Sequence, residues 1–328
     1  MPLPPLTRGG ASMPRNDVLT GVDEGTSSSA SAARRRRRGR MEFLTDAVMI
    51  GPALALVALF VLIPIAIAAY LSFTDWDGFT IPPSWIGTRN YERLLQDPEV
   101  FRAATYTGVI AVVGTLACNA LGLGIALLLN RNSRVNTVMR VLVFSPYVIG
   151  PIILGFLWAS ILGTNGAVNS LLTSLGVDRV PFLADPTWAM VTTVLVIIWA
   201  SFGLNVILYL AGLQTLDASL LEAATIDGAG PWATFWRVKL PVLAPTVTLN
   251  IVLAAIGLLR VYEIVLALTA GGPAGTTQTV VFTILTTSFS RSQLGYGAAQ
   301  SVVLMIVIIV VTVALTQLRR RSEEAVSA

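Results

Sequence analysis

Two pairs of ionisable side chains are spaced closely enough to suggest chemistry, but the rest of the chain argues against catalysis. Glu222 and Asp227 lie five positions apart across a predicted bend, so their carboxylates do not share one helix face. Arg260 and Glu263 lie three positions apart, a spacing that permits an ion pair on one helix. The chain has no His and one Cys, Cys118, which excludes the usual zinc sites, His-based triads and an intrachain disulfide.

The composition of the chain indicates that these residues lie on or between membrane-spanning helices. Only 12% of the 328 residues are charged and 54% are hydrophobic, whereas an ordinary soluble domain is about 25% charged. A helix needs about 20 apolar residues to cross a bilayer core of about 30 Å. Six mainly apolar stretches have that length, at residues 47–71, 104–129, 141–162, 187–212, 243–268 and 297–318. The sequence therefore predicts an all-α membrane protein with six transmembrane helices.

The segment before the first span has a different composition. It is rich in Pro, Ser, Gly and Thr and carries Arg at 34–38 and 40, so it cannot bury a core. Such a basic run could bind nucleic acid or begin a signal peptide, but beside a long apolar run it favours a cytoplasmic anchor and a retained first span. We predict a disordered basic cytoplasmic tail at residues 1–45, a transmembrane domain at 46–318 and a cytoplasmic tail at 319–328.

The distribution of basic residues predicts the orientation of the spans. With the amino terminus inside, Arg131, Arg134, Arg140, Arg237, Lys239 and residues 319–321 all lie on the cytoplasmic side. The predicted outside loops have five Arg, outnumbered by Asp and Glu. Because cytoplasmic loops are enriched in Lys and Arg, we expect both termini and the loop at residues 213–242 to be cytoplasmic.

That loop contains a polar segment, residues 222–241, between two apolar runs. Gly228 permits the backbone angles of a turn, and Pro231 suits the first turn of a second helix. Trp232, Phe235 and Trp236 are aromatic residues that solvation alone would not favour in a cytoplasmic loop. The segment is either a solvated connection or two short helices that dock into a groove of a partner protein.

The same residues carry a family resemblance. Glu222-Ala223-Ala224, followed by Gly228 and by Leu240-Pro241, resembles the EAA signature of importer-type ABC permeases. Its fuller pattern EAATIDGA, with Phe235 and LPVLAP following, is similar to the carbohydrate-uptake branch. Residues 87–95, 144–158, 268–279 and 295–306 also resemble segments of that branch.

The resemblance implies a type I ABC importer-like permease fold in a bacterial inner membrane. It implies a subunit that imports a sugar, oligosaccharide or polyol, phosphorylated ones included, by alternating access. The implied partners are a second permease subunit in a heterodimer, two ABC ATPase subunits, an extracellular solute-binding protein and membrane lipid, without nucleic acid. The chain has no Gly-x-x-x-x-Gly-Lys loop, so it would bind no cofactor and the partner ATPases would use ATP and Mg.

The resemblance also assigns roles to residues. Coupling to the ATPases would fall to Glu222, Ala223, Ala224, Asp227, Gly228, Trp232, Phe235, Leu240 and Pro241. Separately from the resemblance, polar, ionisable and aromatic side chains within or beside the spans are candidates for the substrate path: Asn250, Arg260, Tyr262, Glu263, Gln300, Asn205 and Tyr209. The branch usually has a Phe-Asp pair where this chain has Tyr262-Glu263.

Each of these path candidates has a structural alternative. Asn and Gln side chains within spans also make interhelical hydrogen bonds, and Arg260 with Glu263 could be a structural ion pair. Trp158 and Trp199 could stack on a sugar or simply pack. Two rival functions remain: an ion-gradient-driven secondary transporter, for which only Glu263 offers an embedded carboxylate, and an intramembrane enzyme.

Overall fold

The computed structural model describes residues 50–131 and 133–327, with side chains to residue 319. The predicted tail at residues 1–45 and residue 328 therefore lie outside the described residues. The chain divides into two units, residues 1–64 and 65–328. In the first unit, the described residues form one helical run that includes a π-helical turn at Ala58–Leu62.

Nearly all the regular structure in the described residues is helical, and the exception is an isolated bridge between Thr74 and Trp85. The helices up to the middle of the chain are α1 (Ile50–Leu71), α2 (Arg89–Leu94), α3 (Pro98–Leu129), α4 (Arg134–Ile149), α5 (Pro151–Leu162), α6 (Ala167–Ser174) and α7 (Pro186–Gln214). They are followed by α8 (Ala218–Ile226), α9 (Pro231–Val242), α10 (Ala244–Leu259), α11 (Glu263–Thr269), α12 (Val280–Ser290) and α13 (Leu294–Ser327). The predicted all-α class is confirmed.

The two longest buried helices have strong start signals. Asp97 precedes α3, and its carboxylate accepts a hydrogen bond from the Glu99 amide at 2.9 Å. Asp185 precedes α7 and accepts from the amides of Thr187 and Trp188. Each Asp is followed by a Pro at the first helical position, where the missing amide N–H costs nothing.

The described residues contain five helical stretches long and apolar enough to cross a membrane: Ile50–Leu71, Pro98–Leu129, Pro151–Ser174, Pro186–Gln214 and Leu294–Arg319. Pro231–Val242 and Ala244–Leu259 are bent by 69° and provide a sixth if they count as one span. The count of five or six agrees with the predicted six-span fold, and within the bent pair α10 lies in the predicted span at 243–268 whereas α9 lies in the predicted loop at 213–242.

Two predicted spans are not single helices. The run at 141–162 is interrupted at Gly150, whose φ of +87° no helix accepts, so α4 and α5 replace one helix. The run at 243–268 is interrupted at residues 260–262, between α10 and α11. The apolar helix α12 lies in the predicted outside loop at 269–296 and was not predicted. Breaks and short apolar helices of this kind are set by packing, which hydropathy does not report.

The centre of the bundle is formed where α3 packs on α7. Gly122 of α3 leaves so little room that an added Cβ would lie 2.6 Å from the Cβ of Asn205 on α7. A hydrogen bond of 2.7 Å joins the Tyr209 hydroxyl to the Asn119 amide oxygen across the same interface. Small residues therefore allow close helix contact at this crossing.

Candidate functional site

The segment at residues 218–242 forms two helices joined by a tight turn, which we call the α8–α9 hairpin. Asp217 caps α8 by accepting a hydrogen bond from the Ser219 amide at 2.9 Å. Hydrogen bonds from the backbone amide and then the side chain of Ser219 lower the pKa of the Asp217 carboxyl below its ordinary value of 3.8. A negative charge at a helix amino terminus is favourable, so Asp217 stabilises the start of the hairpin.

The turn of the hairpin is built around a glycine. Gly228 has φ +77°, its amide donates to the Thr225 carbonyl at 3.1 Å, and the Ala229 amide donates to the Ala224 carbonyl at 2.9 Å. This pair of hydrogen bonds is the Schellman motif, which needs a residue in the left-handed region at this position. The predicted bend is present, and its geometry explains why a glycine stands there.

Three aromatic side chains cluster on α9, within and before a π-helical turn at Phe235–Lys239. The Trp232 and Trp236 rings lie 5.6 Å apart, and Phe235 lies 6.2 Å from Trp232 and 5.3 Å from Trp236. Trp232 is 74% exposed and Trp236 is 49% exposed. The aromatic groups therefore pack on one another and leave a large apolar surface outside the bundle.

The charged and small residues of the hairpin differ in exposure. Glu222, Ala223 and Asp227 are exposed, whereas Ala224 is buried. Leu240 and Pro241 are half-buried and lead into Leu243, which is 1% exposed. The hairpin is thus attached to the bundle at its carboxyl end, while the Glu222 and Asp227 carboxylates are exposed.

The break between α10 and α11 holds three of the predicted path residues. Arg260 and Glu263 are exposed and Tyr262 is half-buried, with its ring 6.0 Å from that of Phe282. The Thr279 hydroxyl donates to the Val261 carbonyl at 2.8 Å. This hydrogen bond replaces the one that the carbonyl would accept in a continuous helix.

The ion pair between Arg260 and Glu263, one of the two alternatives for these residues, does not form. In the described part of the chain, the ion pair that is present joins Arg291 to Glu99. The physical reason is the break itself: α10 ends before Arg260 and α11 begins at Glu263, so the two residues do not share one helix face. Unpaired charges at a helix break are typical of a polar cavity in membrane proteins.

The other four predicted path residues lie inside the bundle. Asn205, Tyr209, Asn250 and Gln300 are each at most 5% exposed. Asn250 donates to the Thr246 carbonyl of its own helix at 3.2 Å, while its amide oxygen has no hydrogen-bond partner. Gln300 lines an apolar groove of about 620 Å³ formed with α3 and α10. None of the four side chains reaches the surface at the helix break.

Other polar and aromatic side chains of the spans contact one another. The Asn119 amide oxygen accepts an interhelical hydrogen bond from the Tyr209 hydroxyl. Trp158 and Trp199 make an edge-to-face contact with each other at 5.3 Å. Within residues 50–131 and 133–327, no group of three or more His, Cys, Asp or Glu side chains could hold a metal ion.

Sequence reasoning missed a group of polar contacts between distant segments that we call the α2–α13 cluster, made by Asn90, Asp97, Glu99, Arg291 and Tyr296. Arg291 and Glu99 form a two-pronged ion pair with distances of 2.8 and 2.7 Å, and the Tyr296 hydroxyl donates to Asp97 at 2.8 Å. Asn90 donates to the carbonyls of Ser72 and Thr74. The partners lie up to 199 positions apart, so no local pattern could have paired them.

Comparison with known proteins shows that the chain is similar to membrane components of transport systems. The family described as "Binding-protein-dependent transport system inner membrane component" matches residues 119–324. The probable starch degradation products transport system permease protein AmyD of Thermoanaerobacterium thermosulfurigenes is 31% identical over 84% of this chain and 93% of its own.

Two further similarities agree with this match. The sn-glycerol-3-phosphate transport system permease protein UgpA of Agrobacterium fabrum is 31% identical over 84% of this chain and 93% of its own. A crystal structure of a bacterial ABC transporter involved in import of the acidic polysaccharide alginate contains a chain with a TM-score of 0.75 and 24% identity, covering 88% of this chain and 99% of that one. This last similarity shows the fold alone.

Proposed function

Because the chain belongs to the family of binding-protein-dependent transport system inner membrane components, we propose that it is the permease subunit of an ATP-driven sugar importer. Its cargo would be a sugar, oligosaccharide or polyol, including phosphorylated ones. The relatives AmyD and UgpA, named for starch degradation products and sn-glycerol-3-phosphate, support that class. The observation that carries the proposal is the α8–α9 hairpin, an exposed docking element within the matched residues.

The hairpin is the proposed coupling loop to the ATPases. Trp232, Phe235 and Trp236 form an apolar surface of the kind that fills a partner groove, with Glu222 and Asp227 as charges beside it. Leu240 and Pro241 connect this surface to α10, so a movement of the hairpin is transmitted to the span. Closure of the ATPases would then rock the spans between outward-open and inward-open states.

ATP and Mg are assigned to partner subunits in this proposal. The chain has one Lys, Lys239, and no loop of the Gly-x-x-x-x-Gly-Lys type to hold phosphates. The remaining partners are a second, related permease subunit and an extracellular solute-binding protein. A solved relative is a bacterial alginate transporter in complex with an alginate-bound periplasmic protein, which supports that last partner.

We place the chain in the bacterial inner membrane with both termini and the α8–α9 hairpin in the cytoplasm. Arg131, Arg134 and Arg140, in a stretch at residues 129–149 that has no Asp or Glu, support this orientation. The tails at residues 1–45 and 319–328 would then flank the transmembrane domain on the cytoplasmic side.

The substrate path is proposed to pass the break between α10 and α11. Of the seven candidate residues, only Arg260, Tyr262 and Glu263 combine accessibility with a position at the break. The buried residues Asn205, Tyr209, Asn250 and Gln300 are then structural. We expect Glu263→Gln and Tyr262→Ala to change transport affinity or substrate range, while Tyr209→Phe changes only stability. Unchanged affinity and range in the first two variants would contradict the path.

The decisive experiment distinguishes this function from its rival, an ion-gradient-driven transporter. The complex is reconstituted in vesicles, and uptake of labelled sugar is measured with and without internal ATP and an added solute-binding protein. We expect uptake only when both are present. Uptake driven by a proton or sodium gradient in their absence would overturn the proposal.

A further inference from the structure

A groove of about 610 Å³ lies between α4 and α7. Its lining changes along its length, since Arg140 and Gln214 line it near the cytoplasmic ends of these helices, whereas Phe144, Val148 and Ile207 line it farther along. Val148 is 66% exposed. The groove is therefore polar and cationic at one end and apolar over the rest.

The cation at the end of the groove is fixed in place. The Arg140 Nε and Nη2 atoms donate to the Leu129 carbonyl at 3.2 and 2.6 Å, at the last turn of α3. No carboxylate among the described side chains pairs with Arg140. Arg131 and Arg134 lie in the same turn, and residues 129–149 include no Asp or Glu. The turn thus presents a concentrated positive charge without an internal counter-charge.

The charge and length of the groove indicate the type of occupant. The stretch of α4 from Arg140 to Ile149 is about 13 Å long at 1.5 Å per residue. A cation at one end and an apolar lining over the rest match the charged headgroup and the acyl chain of an anionic phospholipid.

We propose that the α4–α7 groove binds one anionic phospholipid of the cytoplasmic leaflet. The headgroup phosphate contacts Arg140, with Arg131 and Arg134 contributing to the local potential, and an acyl chain lies along Phe144 and Val148. Basic pockets between transmembrane helices on the cytoplasmic side bind anionic headgroups in this way. The site rests on the membrane orientation proposed above, but requires neither ATP nor a transported solute.

The test is native mass spectrometry of the complete complex, purified through this chain and incubated with phosphatidylglycerol or, separately, phosphatidylcholine. We expect phosphatidylglycerol to be retained in preference to phosphatidylcholine. Arg140→Gln should lower phosphatidylglycerol retention about fivefold, the effect of one basic residue near a membrane surface. Arg140→Lys should preserve most of it because the charge remains.

A second variant tests the apolar part of the groove without touching Arg140. Ala211 lines the groove on α7, so Ala211→Trp should exclude the acyl chain and reduce retention of both lipids. Leu142 is 57% exposed on α4 and does not line the groove, so Leu142→Trp is the matched control and should retain lipid normally.

Three results would overturn the site. The first is equal retention of the two lipids by the unmodified complex, and the second is retention that does not respond to Arg140→Gln or Ala211→Trp. The third is dissociation of a protein subunit by Ala211→Trp with lipid retention unchanged, which would show that a protein occupies the groove. Lipid retention is measured without transport, so its failure leaves the proposed transport function standing.

Discussion

The α2–α13 cluster and the α8–α9 hairpin differ in whether their charged and aromatic side chains have partners within the chain. In the cluster, Asp97 meets Tyr296 and Glu99 meets Arg291 within the chain. The guanidinium carbon of Arg93 also lies 4.0 Å from the centre of the Tyr296 ring. In the hairpin, by contrast, Trp232 is 74% exposed and Glu222 has no ion-pair partner among the described side chains.

We therefore expect the cluster to contribute to the stability of the subunit and the hairpin to contribute to the binding of a partner. Groups that are paired within the chain stabilise the folded subunit itself, whereas an exposed aromatic surface gains energy only when a partner covers it. Substitutions in the cluster should therefore change unfolding more than assembly. Those in the hairpin should change assembly more than unfolding.

The largest effect should come from removing the aromatic surface with the double substitution Trp232→Ala and Trp236→Ala. A Trp hot spot at an interface contributes about 2 kcal/mol or more, and the contributions of neighbouring hot spots are not additive. We therefore expect at least about 30-fold weaker retention of the ATPase subunits, with loss of ATP-dependent uptake. The measurement is co-purification at a series of dilutions.

The control for this pair is an exposed aromatic residue elsewhere. Phe289 is 72% exposed on α12, outside the hairpin, so Phe289→Ala should leave ATPase retention unchanged. The unfolding temperature of the isolated subunit should be similar in the double variant and the unmodified chain. Normal ATPase retention by the double variant would remove the basis for treating the hairpin as a binding surface.

A slightly smaller effect is expected from Gly228→Val. An added Cβ at Gly228 would meet no atom within 4 Å, so the penalty comes from the left-handed backbone, about 1–2 kcal/mol for an ordinary residue. This corresponds to a native turn that is about 5- to 30-fold less populated. Uptake and ATPase retention should fall accordingly.

Gly230 provides a matched control two residues away. It has φ −68° and open space around its Cβ position, and the extended backbone before a proline accepts a β-branched residue. Gly230→Val should therefore have little effect on uptake. Equal losses in the two variants would mean that side-chain bulk, and not the turn, is responsible.

These two regions also show how far the sequence alone can lead. The hairpin is local, so its bend at Gly228, its helix start at Pro231 and its aromatic residues could all be predicted from neighbouring residues. The long apolar helices were predictable for the same reason, because each span carries its own composition. The family resemblance supplied the importer function, which composition could not.

What escaped prediction depends on contacts between distant segments. Arg291 and Glu99 are 192 positions apart, and the break at residues 260–262 is supported by Thr279, which donates to Val261 from the following loop. Neither hydropathy nor a short motif carries such information. The Arg260–Glu263 ion pair, one of the two alternatives that the sequence left open, does not form because the helix is interrupted between the two residues.

The next prediction concerns the stability of the α2–α13 cluster. Tyr296→Phe removes the hydrogen bond to Asp97 and should lower the free energy of unfolding by about 1 kcal/mol at neutral pH. Burial raises the pKa of Asp97, but hydrogen bonds from the Tyr296 hydroxyl and the Glu99 amide outweigh it and bring the pKa below 3.8. ATPase retention should be unaffected.

The sign of the pKa shift gives this variant a pH dependence. A carboxyl group whose pKa is lowered by folding contributes stability above its unfolded pKa, and that contribution is lost as the pH falls through the folded value. The difference between Tyr296→Phe and the unmodified chain should thus shrink below about pH 4. Tyr91→Phe is the control, because Tyr91 contacts the Ser72 hydroxyl, which does not titrate. If the loss of unfolding free energy shrinks equally with falling pH in both variants, the role of Asp97 is contradicted.

The smallest effect should come from the ion pair of the cluster. The Arg291 and Glu99 side chains are 41% and 23% exposed, and exposed pairs usually contribute about 0.2–1 kcal/mol. A double-mutant cycle with Arg291→Gln and Glu99→Gln, followed by thermal unfolding, should give a coupling free energy in that range that decreases as salt is raised. A coupling energy above about 2 kcal/mol that is insensitive to salt would indicate that the pair is shielded from water in the assembled transporter. The α2–α13 cluster would then be a second docking surface, and the contrast with the α8–α9 hairpin would no longer hold.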